Sequence, residues 1–103
     1  MNTLAPEHCG ALPGLQAVQG LATVGIRPED LHPADGAAPA FGGKVAVVER
    51  LGSQTFVHVD IGAERLLTAE WPRARDVQTG ERVALTADAD RLHFFNDAGV
   101  RLS

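Results

Sequence analysis

The sequence has no tyrosine, a single cysteine, a single tryptophan and no long apolar run. With Cys9 as its only thiol, the chain has no partner for an internal disulfide and no paired thiolates for a structural zinc site. No segment approaches the roughly 18 apolar residues that a membrane helix needs. We therefore expect a protein of a reducing compartment, cytoplasmic and without direct membrane insertion.

Positive charge is also scarce. Nine Lys and Arg stand against thirteen Asp and Glu, which gives a net charge of −4, whereas surfaces that bind phosphate backbones are positive. Aromatic residues are 5% of the chain and are not interleaved with cations, as binding of single-stranded nucleic acid requires. We expect no nucleic-acid partner.

Turn-forming residues are abundant instead. Eleven Gly and six Pro in 103 residues favour short strands over long helices. Residues 1–20 keep no period and are expected to be an irregular, partly disordered lead-in, and residues 21–103 are expected to form the domain. The predicted strands are Leu21–Arg27, Val45–Leu51, Thr55–Ile61, Arg65–Ala69, Arg82–Thr86 and Leu92–Phe95. Because closure removes exposed edges, we predict an all-β fold, a small Greek-key barrel of five to six short strands.

One strand carries a charge at an unusual place. Strict alternation in Val45–Leu51 puts Val45, Val47 and Glu49 on one face, so the Glu49 carboxylate lies where the strand leaves the core. A half-buried carboxylate needs a partner. We expect either a rim ion pair between Arg27 and Glu49 or a contact of Glu49 with a second subunit.

Motifs for catalysis or metal binding are missing. Gly42–Lys44 resembles the end of a phosphate loop but lacks the earlier glycine and the following Ser or Thr. The four histidines show no paired ligand spacing. The residue types of a catalytic triad occur without any local signature, at Ser53, His58 and Asp60. We expect neither an enzyme nor a metal site in this chain.

Four segments in order carry a family resemblance. They are Gly-Ile-Arg-Pro-Glu at Gly25–Glu29, the run Val45–Thr55, Gly-Glu-Arg-Val at Gly80–Val83, and Leu92–Gly99. Over about Leu21 to Leu102 the chain resembles the C-terminal regulatory domain of the ATP-binding subunit of ABC importers of the maltose and glycerol-phosphate type. One departure is Asn96, which stands where that family usually has an aspartate.

The resemblance implies an OB-like, transport-associated (TOBE) barrel that serves in regulation and dimerisation. The phosphate loop, signature motif and magnesium-binding strand of such ATPases are missing, so the resemblance implies that ATP and magnesium bind an ATPase domain outside this chain. The implied partners are that ATPase domain, a second copy of the ATPase subunit and, through the parent protein, membrane permease subunits. The implied location is cytoplasmic, peripheral to the inner membrane.

A two-fold contact uses one patch on both copies. By their position on the family motifs, the candidates for subunit or regulatory contact are Glu49, Leu51, Gly52 and Phe95. A second hypothesis is a small-ligand sensor for an oxyanion or a sugar, in which Arg27, Arg50 or Arg65 binds the ligand.

Overall fold

The computed structural model is all-β and describes residues 1–9, 12, 19–35 and 39–102. Eight strands pair antiparallel in two sheets, ordered β1-β2-β8 and β3-β7-β4-β5-β6. The strands are β1 (Asn2–Leu4), β2 (Thr23–Ile26), β3 (Leu31–Pro33), β4 (Phe41–Leu51), β5 (Gln54–Asp60), β6 (Leu67–Trp71), β7 (Arg82–Ala87) and β8 (His93–Phe95). The helical segments among these residues are three-residue 3₁₀ turns. None of them has the length and apolar character of a membrane-crossing helix.

The prediction of a small, OB-like all-β fold is confirmed, and each of the six predicted strands forms. The structure adds β1 and β3, which are three residues long, too short for a hydrophobic period to appear in the sequence. The hydrogen-bonded ladders make a three-stranded and a five-stranded sheet rather than one closed barrel.

Strands β4, β5 and β6 form a continuous meander. The β4–β5 turn has two loop residues, and its first, Gly52, has φ +60°, the conformation that a type II′ hairpin turn requires there. In β5, Val57 and Val59 are completely buried, and Phe56 and His58 on the opposite face are half-buried. The alternation predicted for this strand is confirmed.

A β-bulge in β4 changes which residues share a face. Val45 pairs with Val59 and Val47 pairs with His58, so Ala46 is an extra residue without a partner on β5. Val45 is 1% exposed and Val47 is 45% exposed. The prediction that Val45, Val47 and Glu49 share a face is therefore wrong, because one inserted residue moves all that follows to the opposite side.

The lead-in expected to be irregular contributes β1, which pairs with β2. Residues 10–11 and 13–18 of that lead-in lie outside the described residues. The side chain of Asn2 connects the two sheets: its Nδ2 donates to the carbonyl oxygens of Ile26 at 3.0 Å and Thr68 at 2.7 Å, and its Oδ1 accepts from the Thr68 backbone N–H at 2.7 Å. The amide thus supplies both hydrogen bonds that a neighbouring strand would make at Thr68 on the edge strand β6.

The core lies between the inner faces of the two sheets. It combines aliphatic residues from both sheets with Cys9 and Trp71, which are 0% and 5% exposed. Side chains less than 2% exposed include Val24, Ile26, Leu31, Val45, Val57, Val59, Leu67, Val77 and Leu85. Because one face of β4, β5 and β6 packs against this core, the opposite face of these three strands is turned to solvent.

Candidate functional site

The outer face of β4, β5 and β6 holds most of the predicted contact residues. Side chains of directly paired residues lie on the same side of a sheet. The register therefore places four β4–β5 pairs in successive rows across this outer face: Lys44 with Asp60, Val47 with His58, Glu49 with Phe56, and Leu51 with Gln54. Strand β6 adds Thr68 beside His58 and Glu70 beside Phe56.

His58 forms the polar centre of the outer face. Its Nε2 contacts the Glu49 Oε1, and its Nδ1 lies 3.0 Å from the Thr68 hydroxyl oxygen. With the proton on Nε2, the ring donates to the carboxylate and accepts from the hydroxyl, so both nitrogens are satisfied. Three strands are linked by this chain of side chains, and the Glu49 carboxylate is held in one orientation.

Aliphatic side chains flank the polar centre and are open to solvent. Val47 is 45% exposed and Leu51 is 57% exposed, and Phe56 between them is half-buried. Gln54 donates to a Glu70 oxygen at 3.1 Å across β5 and β6. The outer face thus combines apolar area with carboxylates in fixed positions, a composition typical of a contact surface rather than of a reaction centre.

The structure brings three of the four predicted contact residues together. Glu49, Leu51 and Gly52 lie on the β4–β5 hairpin. Phe95 belongs to β8 in the other sheet, where its ring lies against Gly25: a Cβ added to that glycine would come within 3.1 Å of the Phe95 Cε2. The four residues therefore belong to two different surfaces.

The expected ion pair between Arg27 and Glu49 is not among those of the described residues. Arg27 follows β2 at the start of the Pro28–Asp30 turn. The Glu49 carboxylate contacts His58 instead, since the bulge turns it toward the outer face.

The arrangement offers no catalytic triad. The Ser53 hydroxyl lies in the exposed hairpin turn, and both nitrogens of His58 are engaged by Glu49 and Thr68. Asp60 accepts from the backbone N–H of Gly62 at 3.0 Å. Among the described residues no three His, Cys, Asp or Glu side chains are grouped as metal ligands.

The arginines of the ligand-sensor hypothesis are dispersed. Arg50 donates to the Val77 carbonyl oxygen at 3.3 Å, and Arg65 lines a broad cavity of about 530 Å³ together with Glu7 and Glu64. The two carboxylates offset the positive charge of Arg65, which weakens an oxyanion site there.

A smaller cleft of about 210 Å³ contains an arginine that the sequence did not single out. The Arg75 guanidinium lies over the Trp71 ring, 5.6 Å from its centroid, and donates to Asp35 at 2.6 Å. Within the part of the chain that the structure describes, the buried Trp71 Nε1 has no hydrogen-bond partner. Because Arg75 already pairs with Asp35, its guanidinium is not free to bind an oxyanion in this cleft.

Sequence reasoning missed Val47, Thr68 and Lys44 as members of the outer face. No sequence pattern distinguishes Thr68 and Lys44. Strict alternation along β4 predicts an inward Val47, because nothing in the sequence marks the bulge. One signal was present: His58 alternates with buried valines, so its position on the outer face follows from the period of β5.

Comparison with known proteins gives a consistent result. A family model described as TOBE domain matches residues 24–95. The maltose/maltodextrin import ATP-binding protein MalK of Vibrio cholerae is 35% identical over 78 residues, covering 75% of this chain and 21% of that protein. The sulfoquinovosyl glycerol transport ATP-binding protein SmoE of Agrobacterium fabrum is 38% identical over 96 residues, covering 93% of this chain and 25% of that protein.

A third relative, an sn-glycerol-3-phosphate import ATP-binding protein of Agrobacterium fabrum, is 36% identical over 86 residues, covering 80% of this chain and 24% of that protein. The chain spans between about a fifth and a quarter of the length of these curated relatives.

Proposed function

This chain belongs to the TOBE domain family, and from that membership we propose that it is the C-terminal regulatory and dimerisation domain of an ABC importer's ATP-binding subunit. The parent protein would couple ATP hydrolysis to the import of a sugar or a related solute. ATP and magnesium would bind the ATPase domain of that parent, so this chain makes and breaks no bond.

The family match to residues 24–95 carries the proposal. It covers every strand from β2 to β8 apart from Thr23, and β1 lies outside it. The relatives are named as import or transport ATP-binding proteins, and they share with this chain only a minor part of their length.

The role we propose is mechanical. Two antiparallel sheets share one core, and the outer face of β4, β5 and β6 presents the Glu49 carboxylate, held by His58, together with the exposed Leu51. Such a domain would hold two ATPase subunits together while their nucleotide domains open and close. Its partners would be its own ATPase domain, a second ATPase subunit and, through the parent, membrane permeases at the cytoplasmic side of the inner membrane.

The proposal is tested by measuring two properties of the 103-residue chain. Sedimentation equilibrium from about 10 μM to about 1 mM should show reversible self-association, weak because transient contacts of small area have high Kd values. Incubation with ATP and magnesium should release no phosphate. Nucleotide turnover would refute the proposed non-catalytic role, and a strictly monomeric chain would refute the dimerising one.

Ligand sensing is a second candidate, because Arg65 lines a cavity of about 530 Å³; Glu7 and Glu64 in the same cavity disfavour an oxyanion, so a sugar is the better fit. Titration with molybdate, sulfate, phosphate and maltose, followed by amide chemical shifts, separates the two functions. A sensor gives saturable shifts confined to the residues around Arg65, whereas a dimerising domain gives none with these ligands.

A further inference from the structure

We propose that the outer face of β4, β5 and β6 binds the same face of a second copy, about a two-fold axis that passes beside Val47 and perpendicular to the strands. Lys44 of each chain then lies opposite Glu49 of the partner subunit. This inference rests on the proposed dimerising function and names the surface that performs it.

The register of β4 supplies the spacing that such an axis needs. Lys44, Val47 and Glu49 face Asp60, His58 and Phe56, which are successive outward residues of β5. Two residues of strand span roughly 7 Å, so Lys44 and Glu49 lie about equally far from Val47 in opposite directions. Without the extra Ala46, Val47 and Glu49 would face the core, and this symmetry would not exist.

The charges on β4 are complementary under this rotation. The axis exchanges the two sides of Val47, so β4 of each copy offers one cation and one anion to its partner. Asp60 and Arg82 lie on either side of Lys44, and the Asp60 carboxylate accepts a hydrogen bond from the Gly62 N–H of its own chain. Lys44 is the only lysine of the chain, and its side of the strand is exposed. Glu49 is held by His58 on its own chain, which orients its carboxylate before the second copy arrives.

The centre of the contact is apolar. Val47 is 45% exposed and would pack against Val47 of the partner subunit, while Leu51, 57% exposed, lies toward one end of the face. His58 falls on the same row as Val47, and its two nitrogens are already bonded to Glu49 and Thr68, so it needs no partner from the second copy. Apolar centre and charged flanks are the usual anatomy of a protein contact.

The face is small. It comprises four rows across parts of three strands, so we expect it to bury less than the roughly 1,200–2,000 Å² of total area that stable complexes use. We therefore expect a Kd on the order of 10⁻⁴ to 10⁻³ M for the isolated chain. In a full subunit, other contacts would hold the two copies of this domain near each other and raise their effective concentration. A weak contact would then be sufficient to keep the two domains paired.

Crosslinking at the axis is the first test. In the proposed dimer the two copies of residue 47 lie next to each other, so Val47→Cys should form dimers with a short bismaleimide at least tenfold faster than Val100→Cys. Val100 is a matched control because it is 58% exposed and follows β8 of the three-stranded sheet, outside β4, β5 and β6. Cys9 stays in both variants, since it is completely buried. Equal crosslinking rates would overturn the proposal.

Charge exchange is the second test and separates the pairing from folding effects. Lys44→Glu and Glu49→Lys should each weaken self-association by about tenfold, since each puts like charges opposite one another. The double variant K44E/E49K should regain the wild-type constant. A mixture of the two single variants should associate better than either one alone, because the opposite charges then meet between chains.

The outcomes also distinguish a failure of this proposed surface from a failure of the proposed dimerising function. If the wild-type chain self-associates but the double variant and the mixture show no recovery, this surface is wrong and dimerisation uses another one, such as that of Phe95. If the wild-type chain stays monomeric to about 1 mM with an intact unfolding transition, both this inference and the dimerising role of the isolated chain fail.

Discussion

Raising the pH should destabilise this protein through one buried thiol. Cys9 is 0% exposed, and its Sγ lies 3.7 Å from the carbonyl oxygen of Ala5, a weak acceptor contact. Burial removes water from the thiolate and raises the pKa of Cys9 from 9.0 to about 11. The unfolded chain has no such environment and keeps the lower pKa.

The direction of the effect follows from the proton count. Below about pH 9 the thiol is protonated in both states, and its contribution to stability is fully present. Between about pH 9 and about pH 11 the unfolded chain loses this proton while the folded chain keeps it, so stability falls as pH rises. A pKa difference of about two units corresponds to about 3 kcal/mol, or roughly a hundredfold in the unfolding equilibrium.

Urea unfolding at pH 7, 8, 9, 10 and 11, with a reductant present, measures this loss. The single tryptophan, Trp71, is 5% exposed and reports the transition by fluorescence. Because the chain has no tyrosine and a single lysine, few other side chains change charge over this interval, and the Cys9→Ala variant is the control for those groups.

Cys9→Ala is the matched variant. It should be less stable than wild type at pH 7 by about 1 kcal/mol, because it loses a buried sulfur. From pH 9 to pH 11 its stability should change much less than that of wild type. If the two proteins lose the same free energy of unfolding over this interval, the assigned cause is wrong.

Three further substitutions, two of them with a comparison variant, test the packing by urea unfolding. Asn2→Ala should cost about 2 kcal/mol, because it leaves the Thr68 backbone groups at the joint between the sheets without partners; an unchanged midpoint would contradict that role. Gly43→Ala should be strongly destabilising, since its Cβ would come within 2.2 Å of the Asp60 carbonyl oxygen, whereas at Gly42 nothing lies within 4 Å and an alanine should be neutral or stabilise by up to about 1 kcal/mol. Trp71→Phe should cost well below the roughly 3–5 kcal/mol of Trp71→Ala, because it removes an indole N–H that bonds to none of the described residues; a loss equal to that of the alanine variant would contradict this expectation.

Much of the fold was readable along the chain because each strand has its own local pattern. Thr55–Ile61 alternates strictly, and its buried valines and outward His58 are where the pattern predicts them. Strand β1 was not predictable, since three residues in a stretch rich in Gly and Pro carry no period. Nothing in the sequence distinguishes Asn2 from other polar residues, because its role depends on contact with Thr68 of β6, 66 residues away.

For the candidate site, the sequence placed Glu49, Leu51 and Gly52 on one hairpin, because the turn at Gly52 is local. It left Arg27 and a second subunit open as partners of Glu49 and did not point to His58, because the pairing of a carboxylate depends on which face it occupies, and that face depends on the bulge. It also grouped Phe95 with the hairpin, although the two lie in different sheets.

The sequence by itself determined the all-β class and the positions of six strands, because alternation and turn residues act over a few neighbours. It also determined the family, since its motifs follow one another along the chain. Only the tertiary structure decided that Ala46 is an extra residue, that Glu49 contacts His58, and that Asn2 joins the sheets. These features arise from register between strands distant in sequence, where a shift of one residue reverses a face, and no local preference encodes that shift.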